Sequence, residues 1–222
     1  MRRLFWPALT TLVMLAILLS LGSWQLQRLT WKQGLLDQIA QAEALPAIAM
    51  PENPPPFAKI RVTGQFAGRW ALYGSEGRDT AKGPVLGAQL LGVLERTKAA
   101  PVVVVLGWVP GQSVHPPAGT AVVEGFIRPG EQPGWFAATD NPTIGRFYTL
   151  NPAAIGAGLG FAKVAPYVLV AMGPQAPATL PDPARNLPRP ANDHFGYALT
   201  WFSFAFILLV IFGLHARKVL RA

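Results

Sequence analysis

The side chains best suited to hold a ligand stand in one run, Asn192-Asp193-His194-Phe195-Gly196-Tyr197-Ala198-Leu199-Thr200-Trp201. In a helix, His194, Tyr197 and Trp201 recur at i, i+3 and i+7 and share a face. An imidazole is a metal ligand, and two aromatic rings beside it wall a flat apolar macrocycle, so this face suits axial ligation of a haem iron by His194. The same residues also suit a simpler role, because Tyr and Trp collect where a membrane meets water and a histidine there can rest among headgroups. That simpler arrangement is the commoner one. Asn192 or Asp193 is placed to cap the helix.

A second run, Gly22-Ser23-Trp24-Gln25-Leu26-Gln27-Arg28-Leu29-Thr30-Trp31-Lys32, carries the complementary chemistry. Trp24, Arg28 and Trp31 align on one helical face, with Gln25, Arg28 and Lys32 on an overlapping one. Arg28 and Lys32 can pair with the propionates of a haem while Trp24 packs on its ring. They can equally be cations snorkelling from a membrane helix, again the commoner use.

Both runs sit at the edge of an apolar stretch, 4–24 and 195–214. A hydrocarbon core of about 30 Å needs roughly 20 apolar residues in helix, and both stretches meet that length. Arg2 and Arg3 precede the first, and Arg217, Lys218 and Arg221 follow the second, so the positive-inside bias puts both termini in the cytoplasm and exports the middle. Those five cations, out of 19 Lys and Arg, leave 14 against all 11 Asp and Glu in between. The net charge of +8 and the pI of about 10.3 therefore reflect orientation and contact with the anionic lipid bilayer; nucleic acid is not an expected partner. The first stretch exceeds a signal-peptide core and lacks an Ala-x-Ala cleavage site, so it reads as an uncleaved anchor. In a hairpin both spans end at the same depth, which brings the two polar and aromatic runs face to face.

The expected fold is a membrane-anchored α+β protein: two transmembrane helices flanking a mainly β periplasmic domain with one short helix. The expected parts are a first transmembrane helix over 1–25, a helical extension over 26–45, a β-rich domain over 46–174, a Pro/Ala-rich tether over 175–193, a second transmembrane helix over 194–215 and a basic tail over 216–222. Pro46 and the prolines at 51–56 end the extension. Short apolar runs punctuated by Gly and Pro predict strands at 59–66, 71–74, 85–94, 102–108, 121–128, 146–150 and 164–171. The run 102–106 is continuously apolar and mostly β-branched, which places it at the centre of the core. Asn151-Pro152 reads as a helix cap with proline at the first turn.

Other chemistries find little support. The chain has no cysteine, hence no disulfide and no thiolate metal site, and only three histidines, His115, His194 and His215. His115 lies in a proline-rich turn, and His215 among cytoplasmic cations. Trp108 is expected in the core or anchoring a loop. No Gly-x-Ser-x-Gly, Ser-x-x-Lys or His-Glu-x-x-His motif is present, and Glu76, Arg78, Asp79 and Lys82 read as a mixed polar loop, so no enzyme is expected.

Three strings in order, Gly22-x-Trp24-Gln25-x-x-Arg28-x-x-Trp31-Lys32, Gly107-Trp108-Val109-Pro110 and Asn192-Asp193-His194-x-x-Tyr197-Ala198-x-x-Trp201-Phe202, resemble the signatures of the Surfeit-locus-one (Shy) group of cytochrome c oxidase assembly factors. Val62-x-Gly64-x-Phe66 and Val123-x-Gly125-x-Ile127-Arg128 resemble its strand-turn pattern. The resemblance implies a multi-pass protein of the bacterial inner membrane that assists the catalytic subunit of cytochrome c oxidase as haem a is installed. It also implies transient haem a binding, with His194 as the metal ligand; the spacing of the two runs, taken by itself, sets Tyr197, Trp201, Trp24 and Arg28 around such a ring. An alternative within the same resemblance is a structural partner that never touches haem. Two positions depart from the group: Leu106 stands where an arginine often precedes the central Gly-Trp, and Phe147-Tyr148-Thr149-Leu150 lacks the expected tryptophan and acidic residue.

Overall fold

In the computed structural model of the chain, the run 102–105 is buried on both faces at the middle of strand β4 (Ala99–Pro110). Residues 2–80, 83–111, 118–174 and 180–221 are described. They divide into two units, one within Met1–Gln38 and Arg189–Ala222, the other Ile39–Pro188. Helix α1 (Arg2–Ala44) begins the chain and α3 (His194–Arg221) closes it, so the helical extension expected after the first apolar stretch is continuous with it.

The unit Ile39–Pro188 is mainly sheet. Its elements are β1 (Ile48–Ala49), β2 (Lys59–Thr80), β3 (Gly83–Arg96), β4, β5 (Ala118–Pro129), a 3-10 turn (Pro142–Ile144), β6 (Arg146–Phe147), α2 (Pro152–Gly158) and β7 (Tyr167–Ala171). Neighbours run β1-β2-β3-β4-β7-β5, and β5 pairs back onto β2, so five strands close into a barrel. Length makes the closure possible: residues 59–67 of β2 pair with β5, and residues 65–80 pair with β3. The strands expected at 59–66 and 71–74 are thus one, with register shifts after Phe66 and Tyr73 absorbing the bend. The residues read as a polar loop at 76–80 are instead the far end of β2, Glu76 opposite Gly87 and Arg78 opposite Val85. Lys82 and His115 lie outside the described residues.

Ile60, Val62, Phe66, Leu94, Val102, Val104, Val123, Ile127 and Leu169 share one buried cluster. In Val62-x-Gly64-x-Phe66 and Val123-x-Gly125-x-Ile127 the outer members join that cluster, and the glycine between them marks a close approach. A Cβ on Gly64 would overlap the Glu95 carbonyl oxygen, and one on Gly125 the Val170 carbonyl oxygen. The repeated pattern therefore encodes two tight strand crossings.

α2 forms as its sequence predicts: the Asn151 side chain accepts a bond from the Ala154 N–H at 3.1 Å, Pro152 opens the first turn, and the helix lies against β4. The strand expected at 146–150 stops after Phe147. Beyond it the Tyr148 and Thr149 N–H groups donate to the Asp140 carboxylate, at 2.6 and 3.1 Å, instead of to a ladder.

Composition suggests a slack tether before α3, yet residues 182–187 are strapped to the sheet. Trp108 and Asp182 exchange two backbone bonds of 2.8 and 2.9 Å, Ala184 bonds Ala171 and Gly173 at 3.0 Å each, and Leu187 is buried. Asp182 takes Arg78 at 2.6 Å, and Arg78 reaches Glu76 at 2.8 Å. The buried Trp108 donates its indole N–H to the Glu76 carbonyl at 3.1 Å. Gly107, at φ +138°, lets the strap lie this close, because a Cβ there would overlap the Asp182 carbonyl.

Two predictions follow from this packing. Gly107→Ala adds both backbone strain and the overlap with Asp182, so it should cost about 2 kcal/mol and lower the apparent Tm by roughly 4–8 °C, whereas Gly77→Ala, with open space around it, should change little. Burial, reinforced by the Glu131 carboxylate and opposed by Arg128, raises the Tyr73 phenol above its ordinary value. The folded chain then keeps a proton that the unfolded chain releases, so this contribution is intact below the ordinary phenol value and is lost as pH rises above it. Tyr73→Phe should therefore lose less Tm between neutral pH and about pH 11 than the parent chain.

Candidate functional site

α1 and α3 are both long and apolar enough to cross a membrane, with a mean hydropathy of 2.2 over their most apolar windows. Within their unit they pack antiparallel: Gly22 lies against Phe202, and further toward the C-terminal end of α1 Gln25 meets His194. Leu18, Gly22 and Gln25, spaced i, i+4 and i+7, form the buried stripe of α1, and Ala198 and Ala205 that of α3. Small residues suit such a contact, because lipid leaves no hydrophobic drive between two apolar helices and close van der Waals packing must supply it. A Cβ on Gly22 would stand 2.7 Å from Phe202 Cε1.

A polar contact joins the two helices. The His194 Nδ1 atom lies 2.7 Å from Gln25 Oε1, and Gln25 is only 9% exposed. Around this contact the expected residues can be placed by rotation, about 100° per residue. Measured from Gln25, Trp24 and Arg28 lie roughly 60–100° back around α1, and measured from His194, Tyr197 lies roughly 60° back around α3. The helices run antiparallel, so equal senses of rotation carry these side chains to the same flank of the pair. Trp24 is 53% exposed and Tyr197 58% exposed, so this flank is an open surface. Trp201 is half-buried further along α3, edge-on to Phe204. Arg28 lies over the Trp31 ring, 4.0 Å from its centroid, a stacking that leaves the N–H edges of the guanidinium for an anion.

All five residues expected at the site, His194, Tyr197, Trp201, Trp24 and Arg28, thus belong to one helix pair, with the first two turns of α3 facing the 22–28 segment of α1. Gln25, which shares a helical face with Arg28 and Lys32, is the direct partner of His194, a pairing the spacing does not reveal. A polar residue on an otherwise apolar stripe was its signal, and it becomes readable only when the helix register is known. Asn192 Oδ1 is buried without a partner, two residues before His194. His215 is exposed on α3, and Ser75 and Asp79 are exposed on β2. Among the described residues no group of three or more His, Asp or Glu is placed to hold a bare metal ion.

Two apolar helices joined to a closed five-stranded barrel define a membrane-anchored barrel protein. The model of the SURF1 family matches residues 12–206, and the chain belongs to that family. A SURF1-like protein of Rickettsia conorii is 27% identical over 212 residues, covering 91% of this chain and 88% of its own. A SURF1-like protein of Rickettsia felis is 27% identical over 222 residues, covering 96% of this chain and 97% of its own. The SURF1-like protein of Caenorhabditis briggsae is 25% identical over 234 residues, covering 91% and 73%. The SURF1 family is a family of oxidase assembly factors and not a recognised enzyme class.

If the Gly22 contact sets the spacing of the helix pair, a side chain there must push Phe202 aside. Gly22→Leu should destabilise the chain by about 1–3 kcal/mol, while Gly34→Leu, with open space around it, should not. Thermal unfolding in detergent, followed by tryptophan near-UV dichroism, reads the difference.

Proposed function

We propose that this chain assists maturation of the catalytic subunit of cytochrome c oxidase by holding haem a on the flank of its helix pair during transfer. The observation that carries the reading is the contact of His194 with Gln25 beside a one-sided row of aromatic rings and a cation. It is supported by membership of an oxidase assembly family. In this reading the pair spans the bacterial inner membrane with both termini in the cytoplasm, and the barrel is periplasmic.

The donor set fits a haem better than a bare ion. A macrocycle brings its own four nitrogens, so one imidazole suffices where a protein-built metal cage would need three or four ligands. Only one nitrogen of the His194 ring has a hydrogen bond among the described residues, which leaves the other for coordination. Trp24, Tyr197 and Trp201 would cover the ring, and Arg28 would face its carboxylates from about one helical turn beyond Gln25. Haem a supplies the redox-active iron that the oxidase requires. The chain's residues bind it, orient it and keep its apolar face out of water until the subunit takes it.

A second reading has its own observation. Trp24 and Tyr197 are each more than half exposed on one flank, which equally suits packing against transmembrane helices of an oxidase subunit without any haem. Absorption separates the two. Chain purified from cells that make haem a should show a Soret band that is lost in His194→Ala; equal bands, or none in either protein, would leave the second reading.

A further inference from the structure

We infer that Gln25 is a positioning residue: it holds the His194 imidazole in the tautomer with the proton on Nδ1, so that Nε2 carries the lone pair a metal needs. This rests on the haem reading for its purpose, though not for its geometry.

An amide oxygen has no hydrogen and can only accept, so the ring nitrogen 2.7 Å away must donate. A neutral imidazole has one N–H, and placing it at Nδ1 leaves Nε2 bare. The reverse orientation of the amide would aim its NH2 at Nδ1, pull the lone pair to that side and spend it on a hydrogen bond. The two orientations therefore predict opposite tautomers.

The surroundings make the contact durable. Gln25 is buried on the stripe where α1 meets α3, and its neighbours on that stripe are Leu18 and Gly22. An amide in such a place loses its solvation with nothing in return unless it is hydrogen-bonded. His194 is the partner the structure gives its oxygen. The contact also ties the ring's rotation to α1, so the ring direction is fixed by two helices and not by its own χ angles alone. Groups that accept a hydrogen bond from a metal-bound histidine act in this way, setting ring orientation and basicity.

The test uses the full chain in detergent, with histidine labelled at both ring nitrogens, and first reads the tautomer by nitrogen NMR without haem. The parent chain should show His194 protonated at Nδ1 and bare at Nε2, Gln25→Glu should preserve that state, and Gln25→Leu should abolish it. A parent ring protonated at Nε2, or a Gln25→Leu ring identical to the parent, overturns the inference. The second measurement uses chains purified from cells that make haem a. Retained haem should fall about 10-fold or more in Gln25→Leu. Gln25→Glu should keep it, with the reduction potential shifted downward by the more basic imidazole. If His194→Ala loses haem but Gln25→Leu keeps both the haem and the parental potential, the positioning role fails and the haem reading stands. If no chain holds haem while the tautomer follows position 25, the haem reading fails and the positioning of the ring by Gln25 stands.

Discussion

A polar contact has to survive on the apolar stripe where two helices meet, and the geometry of the helix pair follows from it. The Gln25 amide oxygen meets the His194 ring, and an amide left unpaired on that stripe would be costly. Meeting there sets the register of α1 against α3 and puts Gly22 against Phe202, and closeness then demands small side chains at 22, 198 and 205. Once register is set, rotation alone brings Trp24 and Arg28 to the same flank as Tyr197.

The sheet unit solves a different problem, that of closing five strands with few residues. β2 does so by serving two partners along its length, and the glycines at 64 and 125 permit two close crossings. Closure removes the long unpaired edges that would invite other strands. Its polar groups are spent internally: Glu76 accepts from Arg78 and Gln89, Asp182 accepts from Arg78 and Arg185, and the strap at 182–187 is fastened through Gly107 and Trp108. The Gly-Trp string that resembles a family signature is thus explained by structure, a glycine where the strap touches and a tryptophan that ties it to Glu76.

Much of this architecture could be read from the residues. The apolar stretches at 4–24 and 195–214 and the β-branched run at 102–105 each carry their meaning in composition, and the Asn151-Pro152 cap carries its own in a dipeptide. What escaped reading depended on partners distant in sequence. Whether 76–80 was loop or strand turned on β3 being available to pair with it, and polar residues there carry no period of their own. The strap at 182–187 has no periodicity, because only isolated bridges hold it. The shortened β6 turned on Asp140, a carboxylate eight residues away. At the candidate site the faces of both helices were legible, and the partner of His194 was not, because one glutamine in a helix says nothing about which element will cross it.

The chain belongs to a family of oxidase assembly factors, and the proposal is that its helix pair presents the Nε2 atom of His194 to a haem iron. The most direct measurement is electron–nuclear double resonance on the ferric chain purified from haem a-making cells, with histidine labelled by nitrogen-15 and with His115 and His215 replaced by Gln. A strong coupling between the iron spin and one imidazole nitrogen of His194 is the predicted result. A haem signal without any histidine coupling, or a chain that carries no haem while still supporting oxidase assembly, would contradict it.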